Sequence, residues 1–448
     1  MSQLPIKVRF PPSPTGYCHV GTARMAVLNY LFARSQGGTI VFRSEDTDRE
    51  RSRSEFEQDI QSSLRWLGLS WDEFYRQSER TPLYRAALEQ LISEDKAYYS
   101  DEPSKKDETV MVRVIRLRNP GTTITFTDII RGNITFDTSE LGDFVIARGI
   151  DDPLYHLAVV YDDATMGITH VIRGEEHISN TPRQILIQEA LGFSRPQYAH
   201  YPLHLALDRS KLSKRKGDVS VISYKDKGYV PHALLNYIAT LGWTSPSGRE
   251  ILSLDELVSE FKLTDVHKSG AVFDIEKLRW FNRSYLQLLS LEDFATYIQS
   301  ALPEKLKNTP QTVGALLPII RDKISVRDDL RLDVEAGEYA WSYEDPEFKS
   351  ADVVWKGSTS TIALEHLTYT YGVFENIDED NFTSEILKKV LWEYATEKGR
   401  GDVLWPLRYA LTGLQKSPDP FIIASIIGQT ATLRRISSAI SQLSNASI

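Results

Sequence analysis

The stretch from residue 6 to residue 34 restricts the fold of this chain more than any other part of its sequence. Residues 6–10 (IKVRF) are short and β-prone, three prolines and Gly16 then prevent regular structure, and residues 22–34 have the apolar spacing of a helix. The order is strand, tight loop, helix. The unpaired backbone N–H groups at the start of such a helix favour an anion through hydrogen bonds and the helix dipole. The stretch therefore predicts a phosphate-binding corner.

Two residues at the entrance to this helix suit a nucleotide. His19 can donate a hydrogen bond to a phosphate oxygen, and Gly21 allows a nucleotide ring to approach the backbone. A proline-rich turn that only starts a helix, with His19 as a surface or capping residue, is the alternative interpretation. A second stretch favours the nucleotide. Residues 211–217 (KLSKRKG) place cations and a hydroxyl group on a glycine-ended loop after a predicted strand at residues 200–205, although a run of charge is usually only a solvated surface.

These stretches resemble the signature motifs of the class I aminoacyl-tRNA synthetases, and among them those of the glutamyl-tRNA synthetases. Residues 12–16 (PSPTG) with residues 19–22 (HVGT) are similar to the first signature, and residues 211–215 (KLSKR) are similar to the second. Several long motifs in one order are a more specific signal than one short pattern. Further similar segments extend the resemblance over nearly the whole chain: residues 42–52, 66–73, 77–80, 166–177, 273–280 and 405–413.

The resemblance implies an α/β fold class and a sequence of domains. We expect a Rossmann-like parallel-sheet catalytic domain with an inserted, shortened acceptor-binding region, followed by a stem-contact region and an all-α anticodon-binding domain. The length of the chain and its alternating strands and helices up to about residue 98 agree with this. The expected boundaries are the first catalytic half at 1–99, the insertion at 100–153, the second catalytic half at 154–218, the stem-contact region at 219–295 and the helical domain at 296–448.

Two segments near the insertion carry local expectations. Residues 100–110 are predicted to form a polar loop, with Ser100 at a place where the family usually has a longer helical segment, sometimes with zinc-binding cysteines. Contacts of that segment with the tRNA acceptor end therefore do not transfer to this chain. Residues 154–160 (LYHLAVV) are predicted to form the strand with which the core sheet resumes.

Three charged residues predict a pocket for an amino acid with two carboxylates. Arg9 and Glu45 follow neighbouring strands, and ligands of open α/β sheets bind beyond the carboxyl ends of strands. Arg173 adds a second cation at another strand end, and two cations with one anion match the charges of glutamate. A neutral amide side chain would leave one cation unpaired, at a cost of roughly 1–3 kcal/mol. We assign Arg9 to the side-chain carboxylate. The resemblance adds Ser13 and Tyr155 to the glutamate-binding residues, with an ordinary half-buried strand aromatic as the alternative for Tyr155.

The resemblance also implies ATP-dependent chemistry. Three residues are expected to be catalytic, namely His19, Lys211 and Lys214. Magnesium is expected to arrive with the triphosphate rather than on dedicated protein ligands, and no zinc is expected. Alignment and well-placed cations supply the catalysis of such transfers, so no side-chain nucleophile is needed. The expected ATP-binding residues are Ser13, Thr15, His19, Gly21, Lys211, Ser213 and Lys214.

Composition limits the partners and the compartment. The net charge of −9 argues against indiscriminate attraction to nucleic acid, so a tRNA(Glu) partner requires local basic surfaces. Cys18 is the only cysteine, which excludes an internal disulfide and fits a reducing compartment. No apolar run is long enough for a bilayer, and a predicted strand from Ile6 leaves no room for a signal peptide. We expect a cytoplasmic enzyme, and the family implies a monomer.

Several alternatives remain open at this point. A glutaminyl enzyme is disfavoured by the charge count, and a truncated paralogue that glutamylates a tRNA base is disfavoured by the long helical C-terminal region. A catalytically silent tRNA-binding paralogue and a small nucleotidyltransferase are disfavoured by the retained His19 and lysines and by the helical region, respectively. Whether tRNA(Gln) is also charged depends on contacts to the anticodon that the sequence does not identify.

Overall fold

The chain forms two units in the computed structural model, which describes residues 5–104, 107, 109–206, 208 and 220–446. The first unit is Met1–Tyr285 and the second is Leu286–Ile448. The α/β fold class, with an all-helical second unit, is confirmed. The finer division into five regions, with its last boundary after residue 295, stays a prediction.

The first unit carries the strands of the described chain. They are β1 (Lys7–Phe10), β2 (Thr39–Ser44), β3 (Glu73–Arg76), β4 (Ala97–Pro103), β5 (Met111–Leu117), β6 (Thr123–Asp128), β7 (Gly132–Asp137), β8 (Phe144–Gly149), β9 (Asp152–Pro153), β10 (His170–Gly174), β11 (Gln197–Tyr201), β12 (His204–Leu205) and β13 (Ala271–Val272).

Helices connect these strands, and the last of them reaches the boundary between the units. They are α1 (Val20–Ser35), α2 (Ser54–Trp66), α3 (Thr81–Ser93), α4 (Tyr155–Thr165), α5 (Thr181–Leu191), α6 (Val221–Asp226), α7 (Pro231–Thr240), α8 (Leu254–Glu260) and α9 (Ile275–Leu288).

The strands that position the site run parallel. β1, β2 and β3 form one sheet in that order, and β10, β11, β6 and β7 form another, in which the β6–β7 pair is antiparallel. The backbone N–H of Thr169 donates to the carbonyl of Lys7, and the backbone N–H of Lys7 donates to Oγ1 of Thr169, which brings the start of β1 beside the start of β10. The carboxyl ends of β1, β2, β10 and β11 therefore lie at one edge, where ligands of open α/β sheets bind.

A separate antiparallel sheet follows the first catalytic segment in sequence. Its strand order is β4-β5-β8-β9, and its inner face packs on the core that includes Ile115, Ile146 and Leu157. The predicted polar loop at residues 100–110 is therefore wrong for its first part, because β4 continues through Ser100 to Pro103 and pairs with β5. Cross-strand pairing, which local polarity does not reveal, decides this segment.

The predicted strand at residues 154–160 is wrong, because these residues begin helix α4. Short apolar runs do not distinguish a buried strand from a buried helix. Leu157, Ala158, Val159 and Val160 are all buried, so the helix is covered on more than one face and lacks the polar stripe that would have revealed its period.

The second unit is helical throughout its described part. Gly399 has a φ of +103° and separates the helices Ser384–Lys398 and Arg400–Thr412, because glycine adopts this backbone region without the penalty of a side chain. The helices are α10 (Leu291–Ile298), α11 (Glu304–Lys307), α12 (Pro310–Lys323), α13 (Arg327–Glu335), α14 (Ser350–Val353), α15 (Ser360–Glu375), α16 (Ser384–Lys398), α17 (Arg400–Thr412) and α18 (Pro420–Ala446).

Candidate active site

A cavity of about 520 Å³ lies at the carboxyl ends of the parallel strands. It collects every predicted site residue that the structure describes. Lys211, Ser213 and Lys214 lie outside the described residues. The predicted residues that line the cavity are Arg9, Ser13, Thr15, His19, Gly21, Glu45, Tyr155 and Arg173.

His19 caps the helix that begins at the cavity. Its Nδ1 accepts hydrogen bonds from the backbone N–H groups of Gly21 at 3.1 Å and Thr22 at 3.3 Å. Because Nδ1 is an acceptor, Nε2 is the donor of the ring, and it lies 3.3 Å from Oγ1 of Thr22, whose place a phosphate oxygen would take. A Cβ atom on Gly21 would lie 3.0 Å from the imidazole, so glycine leaves room for this cap. The cap and the phosphate-donor interpretations of His19 are thus compatible.

The chain returns to this corner directly after the lysine-rich segment. Ser220 forms an antiparallel bridge with His19, and the backbone N–H of Val221 donates to the carbonyl of Cys18 at 2.8 Å. Before the segment, Leu203 and His204 line the cavity. Leu203 and His204, which precede residues 209–219, therefore line the cavity, and Ser220, which follows them, lies next to it.

Buried ion pairs surround two of the predicted substrate residues. Arg43, which is fully buried, donates to Asp163 at 2.7 Å and to Oε1 of Glu45 at 2.9 Å. Nε of Arg9 also donates to Asp163, at 3.2 Å. Burial raises the pKa of Glu45, against the opposing effect of Arg43. Burial alone would raise the pKa of Asp163, but the positive charges of Arg9 and Arg43 outweigh this effect and lower the pKa.

Arg173 differs from the other two arginines of this cluster. Among the described residues it has no carboxylate partner: Nε donates to His200 at 3.1 Å, and Nη2 donates to Thr181 at 2.8 Å. Nη1 is buried without a hydrogen-bond partner. Asp162 lies 3.9 Å from Nε of Arg43 but is itself paired with Arg80 at 2.7 Å. Among the described residues, the three arginines of the cluster with Glu45 and Asp163 therefore leave one positive charge uncompensated, which favours an anion.

Sequence reasoning missed several residues of this site. Arg43 and Asp163 had a signal, since charged side chains within apolar segments are rarely buried without partners. Tyr155, whose hydroxyl lies 3.3 Å from Nδ1 of His177, lines the cavity from a helix and not from a strand. Burial, reinforced by the charges of Arg173 and Arg9, lowers the pKa of His177 to about 3, so this imidazole is neutral.

The described residues contain neither a cluster of metal-binding side chains nor a helix that could cross a membrane. Within the described ranges, no group of three or more His, Cys, Asp or Glu side chains is arranged to hold a metal ion. In the same part of the chain, none of the helices combines the length and the hydropathy that crossing a bilayer requires.

Comparisons with known proteins agree with the fold. A family model described as tRNA synthetases class I (E and Q), catalytic domain, matches residues 5–113 and 100–280, and one described as anticodon binding domain matches residues 287–440. The chain is 39% identical to a glutamate–tRNA ligase of Aquifex aeolicus (strain VF5), over 98% of this chain and 99% of that protein. It is 40% identical to one of Hydrogenobaculum sp. (strain Y04AAS1), over 96% and 99%.

A solved structure is similar over the whole chain. It is the crystal structure of a glutamate tRNA ligase from Elizabethkingia meningosepticum CCUG26117 in complex with its amino acid, with a TM-score of 0.85, 31% identity and coverage of 98% of this chain and 100% of that one. The parallel sheet, the cavity at its carboxyl edge and the family model place this chain among the class I aminoacyl-tRNA synthetases. Its nearly full-length similarity to these relatives shows that it belongs to the glutamate–tRNA ligase family.

Proposed function

We propose that this protein activates L-glutamate with ATP and transfers it to the 3′-terminal ribose of tRNA(Glu). The observation that carries the proposal is the buried arginine cluster with one uncompensated positive charge beside the His19 corner. Glutamate has two carboxylates and one ammonium group, so its net charge of −1 complements the cluster. Glutamine is neutral overall and would leave one buried positive charge of the cluster without a partner, which is costly.

The hydrogen bonds of Glu45, Arg173 and Arg9 indicate which part of the cavity would hold the amino acid. Arg43 contacts Glu45 through Nε and Nη2, and both groups donate to Oε1, so Oε2 is available for an ammonium group. Nη1 of Arg173 is available for a carboxylate. We retain Arg9 for the side-chain carboxylate, although its bond to Asp163 means that it contributes less net charge than the sequence count assumed. Tyr155 and Ser13 complete this end of the cavity.

The nucleotide end uses the motif residues. Thr15, His19 and Gly21 line the cavity, and the donor Nε2 of His19 is suited to the reacting phosphate. Lys211, Ser213 and Lys214 would hold the departing pyrophosphate, and this role rests on their sequence motif. ATP enters as its magnesium complex, so the metal belongs to the substrate.

The reaction has two balanced steps. An oxygen of the glutamate α-carboxylate attacks the α-phosphorus of ATP, the bond to the β-phosphate oxygen breaks, and pyrophosphate leaves with magnesium. A ribose hydroxyl of the tRNA then attacks the carbonyl carbon of the adenylate, loses its proton and releases AMP. Neither step forms a covalent bond to the protein, so the side chains act by alignment and charge stabilisation.

Charging assays test the assignment. The purified enzyme is expected to attach glutamate to tRNA(Glu), as a cytoplasmic monomer whose second unit, matched by the anticodon-binding model, contacts the anticodon. Parallel assays with tRNA(Gln) distinguish an enzyme that charges both tRNAs. Absence of glutamate-dependent ATP–pyrophosphate exchange in the presence of tRNA would favour the silent tRNA-binding paralogue instead.

Two variants of His19 separate its capping role from its chemical role. Both His19→Asn and His19→Ala remove the Nε2 donor, and we expect kcat for activation to fall about 100- to 1,000-fold in each. An asparagine side chain still accepts bonds from the helix N–H groups, so only the alanine variant should lose about 1 kcal/mol of stability. Pyrophosphate exchange and urea unfolding measure the two effects. Full activity in His19→Asn would assign the histidine to capping alone.

Replacing Lys214 with Ala is expected to slow adenylate formation and leave glutamate binding intact. The reason is that a lysine beside the leaving pyrophosphate acts on charge that develops during the reaction, and not on the amino acid. Glutamate affinity by calorimetry and pyrophosphate exchange in the presence of tRNA measure the two quantities. Lys225→Ala, a change on helix α6 later in the sequence, is the matched control. Unchanged exchange in Lys214→Ala would contradict the assignment.

A further inference from the structure

A chain of buried polar groups connects strand β6 to Arg173 from outside the cavity. Oδ2 of Asp128 lies 2.6 Å from Nδ1 of His200 and accepts a bond from the His200 backbone N–H at 3.0 Å. Nε2 of His200 then accepts the bond from Nε of Arg173 at 3.1 Å. His200 is 0% and Asp128 is 1% exposed, so water does not compete for these bonds.

The bonds determine where the protons lie. Oδ1 of Asp128 accepts bonds from the backbone N–H groups of Ile130 at 2.9 Å and Arg131 at 2.8 Å. Burial acts to raise the pKa of Asp128, but the bonds from His200 and the backbone outweigh it and lower the pKa. The carboxylate is therefore the acceptor, and Nδ1 of His200 is the donor. Burial lowers the pKa of His200, and the positive charge of Arg173 adds to this effect against the bond to Asp128. The ring is therefore neutral, and the lone pair on Nε2 accepts the bond from Arg173.

Thr181 provides a second anchor for the guanidinium. Its Oγ1 accepts the bond from Nη2 of Arg173 at 2.8 Å and donates to the carbonyl of His177 at 3.1 Å. Nε and Nη2 are thus both held, which fixes the guanidinium plane of a residue that lines the cavity, and Nη1 has no hydrogen-bond partner among the described residues. Both anchors are neutral groups. They orient Arg173 without cancelling its charge, whereas Asp163 partly cancels the charges of Arg9 and Arg43.

We propose that Asp128, His200 and Thr181 are positioning residues, which hold Arg173 in a fixed orientation with its full charge available to a substrate carboxylate. The inference rests on the proposed function, because it names the support for glutamate recognition at the same site. A carboxylate at position 200 would anchor the guanidinium equally well but would neutralise it. The neutral imidazole therefore keeps the charge of Arg173 available to the substrate.

Two substitutions of His200 test separately the two bonds of the Asp128–His200–Arg173 relay. In His200→Asn the side-chain amide can still donate to Asp128, but no acceptor reaches Nε of Arg173. In His200→Gln an oxygen can take the place of Nε2. We expect the KM for glutamate to rise about 10- to 100-fold in the asparagine variant, the range for misplacing a binding group by up to about 1 Å, and to rise less in the glutamine variant. The KM for ATP is expected to stay unchanged in both.

A control and a coupled variant separate positioning from a general loss of structure. His170→Asn removes another buried imidazole, in the same strand as Arg173 but outside this cavity, and is expected to leave the KM for glutamate unchanged. In an Arg173→Lys background, a lysine cannot use the Nε anchor, so adding His200→Asn should change the KM for glutamate less than twofold. Such non-additivity identifies an effect transmitted through Arg173.

Steady-state pyrophosphate exchange in the presence of tRNA measures these constants. Should His200→Asn fail to fold, Thr181→Val removes the second anchor and carries the same expected rise in the KM for glutamate. An active His200→Asn or Thr181→Val enzyme with an unchanged KM for glutamate, or equal rises for glutamate and ATP, would overturn the relay alone. No glutamate-dependent exchange in the unmodified enzyme would overturn the proposed function, and the relay with it.

Discussion

Replacing Arg173 with methionine is expected to lower kcat/KM for glutamate by about 30- to 5,000-fold. The expected loss corresponds to the roughly 2–5 kcal/mol that truncation of one partner in a buried, hydrogen-bonded charge pair costs. Arg173 is 4% exposed and is the arginine of its cluster without a carboxylate partner among the described residues, so its charge has the substrate as its counterpart. Pyrophosphate exchange at varied glutamate concentration measures the effect.

The conservative variant and a surface control sharpen this prediction. Arg173→Lys keeps the charge but not the planar set of donors that His200 and Thr181 hold, so an intermediate loss is expected. Arg148→Met removes an exposed arginine of β8, which is paired with Asp152, and should leave kcat/KM for glutamate unchanged. An Arg173→Met enzyme that retains its kcat/KM for glutamate would remove the charge argument for substrate recognition.

The parts of the fold that could be predicted are those with a local signal. The strand, loop and helix around His19 were predicted from prolines, glycines and apolar spacing, and β1 and α1 lie where that pattern indicates. Helix α16 has local signals of the same kind, because an apolar period runs along it and Gly399 lies where it ends. Helix α4 was missed because its buried apolar run has no polar face to show a period of 3.6 residues.

The site was predictable only in part, because its charges are balanced over long distances in sequence. Arg9, Glu45 and Arg173 were identified as strand-end charges, and all three line the cavity. Their partners were not identified: Arg43 bonds Asp163 across 120 positions and His200 bonds Asp128 across 72. No periodicity links such residues, and only the folded sheet brings them together. The roles of Lys211 and Lys214 stay predictions, since these residues lie outside the described part of the chain.

Replacing Arg43 with methionine is expected to lower the free energy of unfolding by about 3–5 kcal/mol, which is the usual cost of removing one partner from a buried ion pair. The fully buried guanidinium of Arg43 holds Glu45 and Asp163 together, at 2.9 and 2.7 Å. Without it, these two carboxylates would lie close together in a buried place, and Arg9 would be the remaining ion-pair partner of Asp163 among the described residues. Urea unfolding followed by circular dichroism measures the loss.

The pH dependence of this loss identifies its cause. In the variant, burial without Arg43 raises the folded-state pKa of Glu45 and Asp163 above the unfolded values. A carboxyl group of this kind binds its proton more tightly when folded, so acidification stabilises the folded state. The deficit of Arg43→Met relative to the unmodified protein should therefore be larger at pH 8 than at pH 5. Arg113→Met removes an exposed arginine of β5, which is paired with Asp101, and should leave the unfolding midpoint unchanged at both pH values. A deficit of equal size at the two pH values would point to lost packing of the arginine stem, and not to unpaired carboxylates, as the origin of the instability.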